Sequence, residues 1–463
     1  MRRTSHTLAS VSLAVALLLA VAGTAPAAAS PIRHVVILYQ ENHSFDNVLG
    51  KLCVRYRRCR GATTGRLKNG STIALRRASD LVPEVTHSPD AQDAAIDHGR
   101  MDGFSTFGSC SAATRYQCYT QYWPRQIPNL ARLARRYVIA DRTYELDRTP
   151  SWGSHMDLVA TSMDGFTGIN PQHHPGAPAG PSGWGCDSFT EAFWKSAPSA
   201  APRLVPSCVP KKDGGGPFRP SPVRWMPTIM DRLHAAGVSW RLYTPTPAEG
   251  FYGFAICPTF ADCIYTRQHR QMRPAAQVLR DARAGRLANF SIVTPTSQSS
   301  QHNTFSMRRG DNWIGAVVRA IQHGPDWPST AIFITYDDCG CFYDHSRPPG
   351  RRLGIRVPMV IVSPYAKRRF TDSHVASFAS LLAFTEHTFN VRPLSSRDAH
   401  AYAYRRSFRF HRRVAIPARY GPSARTLTRA QAPTAPLDNL RSHPLPRWER
   451  RLLARHPPDD DAT

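Results

Sequence analysis

Residues 331–345, AIFITYDDCGCFYDH, contain the pattern that decides the fold class: an apolar run of strand length turns directly into a cluster of acids. The run is rich in Ile and Phe and does not alternate with polar residues, which predicts a strand buried on both faces. Ligands bind beyond the carboxyl ends of the strands in parallel sheets with helices on both faces. The acids that follow this strand are therefore predicted to lie in a binding site.

The same unit, a short apolar run followed by polar residues, recurs along the chain. The apolar runs lie at 34–39, 137–140, 289–293, 331–336 and 357–362. Helical patterns lie between them, at 130–137, 226–236 and 313–323. This alternation predicts an α/β fold with a mostly parallel central sheet and helices on both faces.

Residues 1–30 have the pattern of a secretory signal peptide. Arg2 and Arg3 precede an apolar run at 8–21, and small residues at 27–29 offer a cleavage site. The run is short for a membrane span, although a retained signal anchor is the alternative. We expect a secreted protein, either extracellular or associated with the cell envelope.

The rest of the chain divides into a large domain at 31–400 and an extension at 401–463. Within the domain, residues near 165–225 are rich in Gly and Pro and are predicted to be a long insertion that forms part of a cleft wall. The extension holds 13 arginines and five acidic residues. A partly disordered appendage is the alternative interpretation of the extension.

The formal net charge of +26 predicts contact with anionic partners such as phosphates, lipid headgroups or acidic polymers. A solvated surface that merely carries many arginines is the alternative. We expect no specific nucleic-acid partner, because the aromatic residues are not interleaved with basic ones at a recognisable spacing. The oligomeric state is left open.

Ten cysteines are typical of an oxidising compartment. Eight of them predict four local disulfides, Cys53–Cys59, Cys110–Cys118, Cys186–Cys208 and Cys257–Cys263, each stapling a loop. Metal binding is the alternative, but the spacing zinc prefers is missing. Whether Cys339 and Cys341 are bridged is left open, because a bridge between them closes a very small ring.

Two pairs of side chains offer oxygen ligands for a divalent metal ion. Glu41 and Asn42 follow one apolar run, and Asp337 and Asp338 follow another. Ca²⁺, Mg²⁺ and Mn²⁺ prefer such donors. Each pair taken alone could simply cap a helix or end a strand. Their equivalent positions after two buried strands favour a metal site.

Ser151 is the candidate nucleophile, because the neighbouring Pro150 and Gly153 could fix an exposed hydroxyl. A plain turn that starts a helix is the alternative. His87, His302 and His345 each lie in a polar loop and could bind phosphoryl oxygens or protonate a leaving group. A surface histidine is the alternative for each of them.

Several blocks of the sequence resemble the bacterial phospholipase C and acid phosphatase A family of phosphoesterases, to which plant non-specific phospholipases C also belong. ENHSFD at 41–46 is similar to the family's E-N-R-S-F-D, and YDDCGCFYDH at 336–345 to its Y-D-E-x-G-G-F-Y-D-H. GIRVP at 354–358 with SPYA at 363–366 resembles G-x-R-V-P…S-P-W-A. RMDGF at 100–104 and PSWGSH at 150–155 resemble two further segments. The resemblance covers residues 32–395, in the family's order.

The resemblance implies an alkaline-phosphatase-like fold and hydrolysis of phosphate esters. Carried over residue by residue, it makes metal ligands of Glu41, Asn42, Asp337 and Asp338. It makes Ser151 the nucleophile, and His87, His302 and His345 phosphate-binding or acid–base groups. This chain departs from the family pattern at His43, Asp338, Gly153, Ser154, Cys339 and Cys341. None of these departures removes a presumed catalytic group.

Three alternatives remain open at this point. A sulfatase or a nucleotide pyrophosphatase could share the fold class, although the segment at 150–152 lacks the C-x-P-x-R pattern of sulfatases. A catalytically inactive basic protein that binds cell surfaces or anionic polymers is the alternative of another class. Within the enzyme hypothesis, the sequence does not distinguish a phosphomonoester from a phosphodiester substrate.

Overall fold

The computed structural model describes residues 30–175, 183–214 and 221–410. The predicted signal peptide at 1–30 and the extension at 401–463 lie outside the described residues, apart from Ser30 and residues 401–410. Across the described ranges, no helix is both long enough and apolar enough to span a bilayer.

An eight-stranded sheet forms the centre of the protein. Its strands in chain order are β1 (His34–Gln40), β2 (Val138–Ala140), β3 (Trp240–Thr244), β4 (Met272–Pro274), β5 (Phe290–Val293), β6 (Thr330–Tyr336), β7 (Met359–Val362) and β8 (Phe370–Asp372). Their order across the sheet is β4-β3-β5-β1-β6-β7-β2-β8, in which β7 alone runs antiparallel to its neighbours. The predicted α/β class and the mostly parallel sheet are confirmed.

The five apolar runs of the sequence coincide with β1, β2, β5, β6 and β7. β1 and β6 lie side by side at the centre, where Leu38 pairs in register with Ile334. Both are almost entirely buried, as expected for strands covered on two faces. The strands that the sequence analysis did not predict lie toward the edges of the sheet. β4 and β8 are short, with three residues each. The sequence of β3 is not a continuous apolar run, because it includes Arg241, whose guanidinium pairs with Asp281.

Helices pack on both faces of this sheet. The α-helices of the described residues are α1 (Lys51–Tyr56), α2 (Pro89–Ile96), α3 (Pro128–Arg136), α4 (Ser151–Asp157), α5 (Ile229–Ala235), α6 (Ala261–Ile264), α7 (Gln277–Arg283), α8 (Met307–Gln322), α9 (Phe378–Phe389) and α10 (Ser396–Ala399). Phe333 of β6 contacts Phe384 of α9, with ring centroids 4.9 Å apart. Tyr336, three positions along and so on the opposite face, lies near Asp311 of α8.

α8 also fixes the start of α3. Ser306 caps α8 by accepting a hydrogen bond from the backbone N–H of Arg309. Asp311 in turn accepts from the backbone N–H groups of Asn129 (3.0 Å) and Leu130 (2.8 Å) in the first turn of α3. These N–H groups have no partner within their own helix, so the carboxylate of one helix completes the end of the other.

Disulfides and a small second sheet shape the loops. The four predicted disulfides are present, and Cys339 and Cys341 are also paired.

The insertion at 165–225 contains a three-stranded antiparallel sheet of Gln172–His173, Thr190–Trp194 and Arg203–Pro206. Trp184 of the insertion contacts Phe254 at 5.0 Å between ring centroids, which brings the insertion to the edge of the site.

Candidate active site

The carboxyl ends of β1 and β6 bring the two predicted ligand pairs together. Glu41 and Asn42 follow β1, Asp337 and Asp338 follow β6, and all four side chains are fully buried. The backbone N–H of Asn42 donates to Asp337 Oδ1 at 2.7 Å, and so does the backbone N–H of Asp338. Asp337 Oδ1 thus joins the two loops, whereas Asp337 Oδ2 has no hydrogen-bond partner among the described residues.

The backbone at this junction is closely packed. Asn42 has a positive φ of 58°, a left-handed conformation that asparagine tolerates better than most residues. Gly340 also has a positive φ, 55°, and a Cβ there would lie 1.9 Å from the carbonyl oxygen of Asn42. Glycine at position 340 therefore allows the two loops to approach each other.

Ser151 reaches the same place from α4, of which it is the first residue. Its Oγ lies 3.2 Å from Asn42 Oδ1 and 3.4 Å from Asp338 Oδ2, and its side chain is fully buried. The structure thus brings the candidate nucleophile into contact with one member of each ligand pair.

His87 approaches the site from the segment before α2. Its Nε2 lies 3.9 Å from Asp338 Oδ2, and its Nδ1 is 2.8 Å from the carbonyl oxygen of Val85, which fixes the ring. Burial is the largest influence on the pKa of His87 and lowers it, but the charge of Asp338, the hydrogen bond to Val85 and the charges of Glu84 and Asp337 together outweigh burial and raise the pKa above its usual value. His87 can therefore carry a proton beside Asp338, which also contacts Ser151.

His302 lies in an aromatic group beside the site. Its Nδ1 is 2.8 Å from the carbonyl oxygen of Asn303, and its ring contacts Phe251 at 5.3 Å and Phe254 at 6.4 Å between centroids. His43, where the family pattern has Arg, supports this loop, because its Nε2 lies 2.8 Å from the carbonyl oxygen of Gln301. Burial lowers the pKa of His43 to about 3, so the residue is neutral.

His345 belongs to a separate network of buried charges. Its Nδ1 lies 2.5 Å from Asp46 Oδ2, and Arg356 bridges Asp46 (3.2 Å) and Asp344 (3.1 Å). Arg356 and both aspartates are fully buried. This network joins the segment at 41–46 to the segments at 336–345 and 354–358. The contacts of His345 lie in this network rather than at Ser151.

His155 was not among the predicted site residues, yet it lies in the site. Its Nε2 is 3.5 Å from Glu41 Oε1, and its Nδ1 is 2.7 Å from the carbonyl oxygen of Ser151. The spacing of four residues from Ser151 is the signal that could have found it, since side chains at i and i+4 share one face of a helix. Phe254 stacks on its ring at 5.1 Å between centroids.

Glu145 is a second residue that the sequence analysis missed, and it is a buried acid. Its side chain is fully buried, and a Cβ on Gly354 would come within 2.5 Å of its Oε2. Burial and then the charge of Asp338 raise the pKa of Glu145 well above its usual value. It adds a further carboxyl group to a region that already holds three.

The electrostatics of the site fit a bound cation. Burial and then neighbouring Asp337 raise the pKa of Glu41 well above its usual value and that of Asp338 to about 8. Within the part of the chain that the structure describes, both carboxylate oxygens of Glu41 and the Nε2 of His155 lack hydrogen-bond partners. Donor atoms of Glu41, His155 and Asp337 lie within 4.8 Å of one another. Buried carboxylates need a compensating charge, and these oxygens are the donors a divalent cation prefers.

Comparisons with known proteins identify several relatives of this chain. The chain is 26% identical over 436 residues to the non-hemolytic phospholipase C of Burkholderia pseudomallei, covering 78% of this chain and 55% of that protein. It is 22% identical to the non-specific phospholipase C6 of Arabidopsis thaliana, covering 81% and 72%, and 24% identical to phospholipase C A of Mycobacterium tuberculosis, covering 80% and 75%. The chain thus spans about half the length of the first relative.

Among solved structures, a protein in the alkaline phosphatase superfamily from Vibrio parahaemolyticus matches at 12% identity and a TM-score of 0.36, covering 81% of this chain and 71% of that one. The family model of the Phosphoesterase family matches residues 32–392, which include both ligand pairs and Ser151. With most of its length matched by that model, the chain belongs to the Phosphoesterase family.

Proposed function

We propose that this protein is a secreted, metal-dependent phosphoesterase that cleaves phosphodiesters with Ser151 as its nucleophile. The observation that carries the proposal is the position of Ser151 Oγ, within 3.4 Å of both Asn42 and Asp338 inside a group of buried acids. Relatives named phospholipase C support the phosphodiester class. Paired cysteines and the N-terminal sequence pattern support secretion.

The proposed metal ligands are Glu41, Asn42, Asp337 and Asp338. A divalent ion held by them would lower the pKa of the Ser151 hydroxyl and offset negative charge on the phosphoryl oxygens. Asn42 and Asp338 accept the hydroxyl hydrogen of Ser151, so that a lone pair of Oγ is left for attack on phosphorus.

Cleavage would proceed in two displacements. In the first, Ser151 Oγ passes its proton to Asp338 and bonds to phosphorus as the bond to the leaving alcohol oxygen breaks, and protonated His87 gives that oxygen its proton. In the second, water gives a proton to His87 and bonds to phosphorus, the bond from phosphorus to Ser151 Oγ breaks, and Asp338 returns the proton to Oγ. His302, with the aromatic side chains around it, would contact the substrate.

Hydrolysis of two chromogenic substrates tests this function. The purified mature protein should release p-nitrophenol from p-nitrophenyl phosphorylcholine faster than from p-nitrophenyl phosphate, and EDTA should abolish both reactions. Ser151→Ala is the blank, because loss of the nucleophile should leave at most a trace of turnover.

Faster turnover of the monoester would instead make the protein a phosphatase. Turnover that survives in the Ser151→Ala variant would show that the nucleophile is misassigned. Absence of turnover of either substrate, with Ca²⁺, Mg²⁺ or Mn²⁺ added, would favour a binding protein that keeps the family fold.

A further inference from the structure

His155 lies in the candidate active site, but the proposed mechanism gives it no role. Its side chain is buried, and it points from α4 toward Glu41, one helical turn beyond Ser151. A histidine on a buried helix face is often only a packing residue, so the hydrogen bonds of its two ring nitrogens must decide between packing and chemistry.

The Nδ1 atom of His155 must carry a hydrogen. It lies 2.7 Å from the carbonyl oxygen of Ser151, and a carbonyl oxygen can only accept a hydrogen bond. A neutral imidazole with its hydrogen on Nδ1 has a lone pair on Nε2.

That lone pair faces other acceptors. Among the described residues, neither Nε2 nor Glu41 Oε1, 3.5 Å away, has a hydrogen-bond partner. Asp337 Oδ2 also has none within the described residues, and the donor atoms of these three residues lie within 4.8 Å of one another. Three buried side chains whose lone pairs converge in this way are the arrangement of a metal site. Ligands of one ion at about 2.1 Å lie about 3 to 3.5 Å apart, the separation of Nε2 and Oε1.

The orientation of the ring is fixed by its neighbours. Phe254 stacks on one face at 5.1 Å with an interplanar angle of 17°, and Tyr39 contacts the ring edge-on at 4.8 Å. Tyr39 is itself held by a hydrogen bond from its hydroxyl to the carbonyl oxygen of Ser154. Metal-binding histidines commonly donate their other N–H to a carbonyl oxygen, as His155 does to Ser151.

We propose, building on the proposed function, that His155 Nε2 is a ligand of the ion held by Glu41 and Asp337, and that the site therefore selects a divalent transition metal. An imidazole nitrogen suits Zn²⁺ and Fe²⁺ and can also bind Mn²⁺, an ion that otherwise favours oxygen donors, whereas Ca²⁺ and Mg²⁺ favour all-oxygen sites. The ligand also ties the helix of the nucleophile to the ion, since the same imidazole binds the carbonyl oxygen of Ser151.

The test is pulsed electron paramagnetic resonance of the full mature protein loaded with one equivalent of Mn²⁺. Coordinated imidazole should give nitrogen modulation in the wild-type spectrum, and protein labelled with ¹⁵N-histidine should show the corresponding isotope change. This measurement needs no substitution, so a variant that fails to fold does not affect it. It also does not depend on turnover, so its failure is distinct from failure of the proposed function.

Three variants assign the signal to one histidine. His155→Asn keeps an N–H donor near the carbonyl oxygen of Ser151 but removes Nε2, and it should lose the modulation and at least about tenfold of the Mn²⁺ affinity. His155→Gln offers an oxygen in place of Nε2, and it should lose the modulation and favour Mg²⁺ more than the wild type does. His87→Asn is the matched control and should keep the modulation.

The proposal is overturned by any of three results. These are a wild-type spectrum without histidine nitrogen modulation at full occupancy, a modulation that persists in His155→Asn, and failure of Mn²⁺, Co²⁺ and Zn²⁺ all to bind with one-to-one stoichiometry. Loss of the modulation in His155→Asn, with its retention in His87→Asn, supports it.

Discussion

Replacing Gly340 with alanine should damage the active site far more than it damages the fold. The new Cβ would lie 1.9 Å from the carbonyl oxygen of Asn42, whereas real Cβ contacts are essentially never below 3.0 Å. One of the two ligand loops must therefore move by about 1 Å, a displacement that can cost about 100-fold in rate when it misplaces reacting groups. The positive φ of 55° adds about 1 to 2 kcal/mol of backbone strain.

Gly237→Ala is the matched control. Gly237 also has a positive φ, 67°, but a Cβ there meets nothing within 4 Å. We expect both variants to lose about 1 to 2 kcal/mol of unfolding free energy from the backbone strain alone, measured by denaturant titration. Gly340→Ala should in addition lose Ser151-dependent hydrolysis and metal affinity, whereas Gly237→Ala should keep both. Near-wild-type activity of Gly340→Ala would refute the argument that this close approach sets the ligand geometry.

Three further predictions concern the surroundings of the site. Burial raises the pKa of Asp311 to about 7, so the stability that its protonated form contributes is fully present below about pH 4 and is lost as pH rises through about 7. Thermal melts across that range should show a steeper fall of stability with pH in the wild type than in Asp311→Asn, and equal slopes would contradict this assignment. Phe254→Ala should lower the unfolding free energy by about 3 to 5 kcal/mol, because a large buried side chain is removed. It should also weaken metal binding, since the His155 ring loses the side chain that stacks on it. Titration calorimetry measures the metal affinity, and an unchanged affinity would contradict this link. Arg356→Met should lower the unfolding free energy, measured by chemical denaturation, by about 3 to 5 kcal/mol, because buried Asp344 loses its partner. The double variant Arg356→Met/Asp344→Asn should recover part of that loss.

The central sheet could be predicted from the sequence because its inner strands are buried on both faces. Runs such as 331–336 have a composition that few other structures accommodate, and the acids that follow mark the carboxyl edge of the sheet. The two predicted ligand pairs meet there, as their positions after two strands suggested, and the structure brings Ser151 and His87 to the same place. The short edge strand β8 gave no such signal, because three residues are too few to show a period.

Two parts of the site depended on three-dimensional packing that the sequence does not display. Asp344 and Arg356 neutralise each other, and His345 is drawn into their network, so its polar loop position said little about its partners. His155 reads as an ordinary helical residue until its Nε2 is seen opposite Glu41. In both cases the role of the histidine depends on which atoms its ring nitrogens face, and the residue type alone does not show this.

The hydrogen bond from Asn42 to Asp337 joins residues 295 positions apart, and this separation affects when an ion can bind. The ligand set does not exist in a growing chain, because β1 must wait for β6 to be synthesised and paired. Under the proposed function, a chain exported before folding would therefore pass through the cytoplasm without a formed site. Its ion would come from the medium in which folding ends, so the metal content outside the cell would decide which ion each molecule carries.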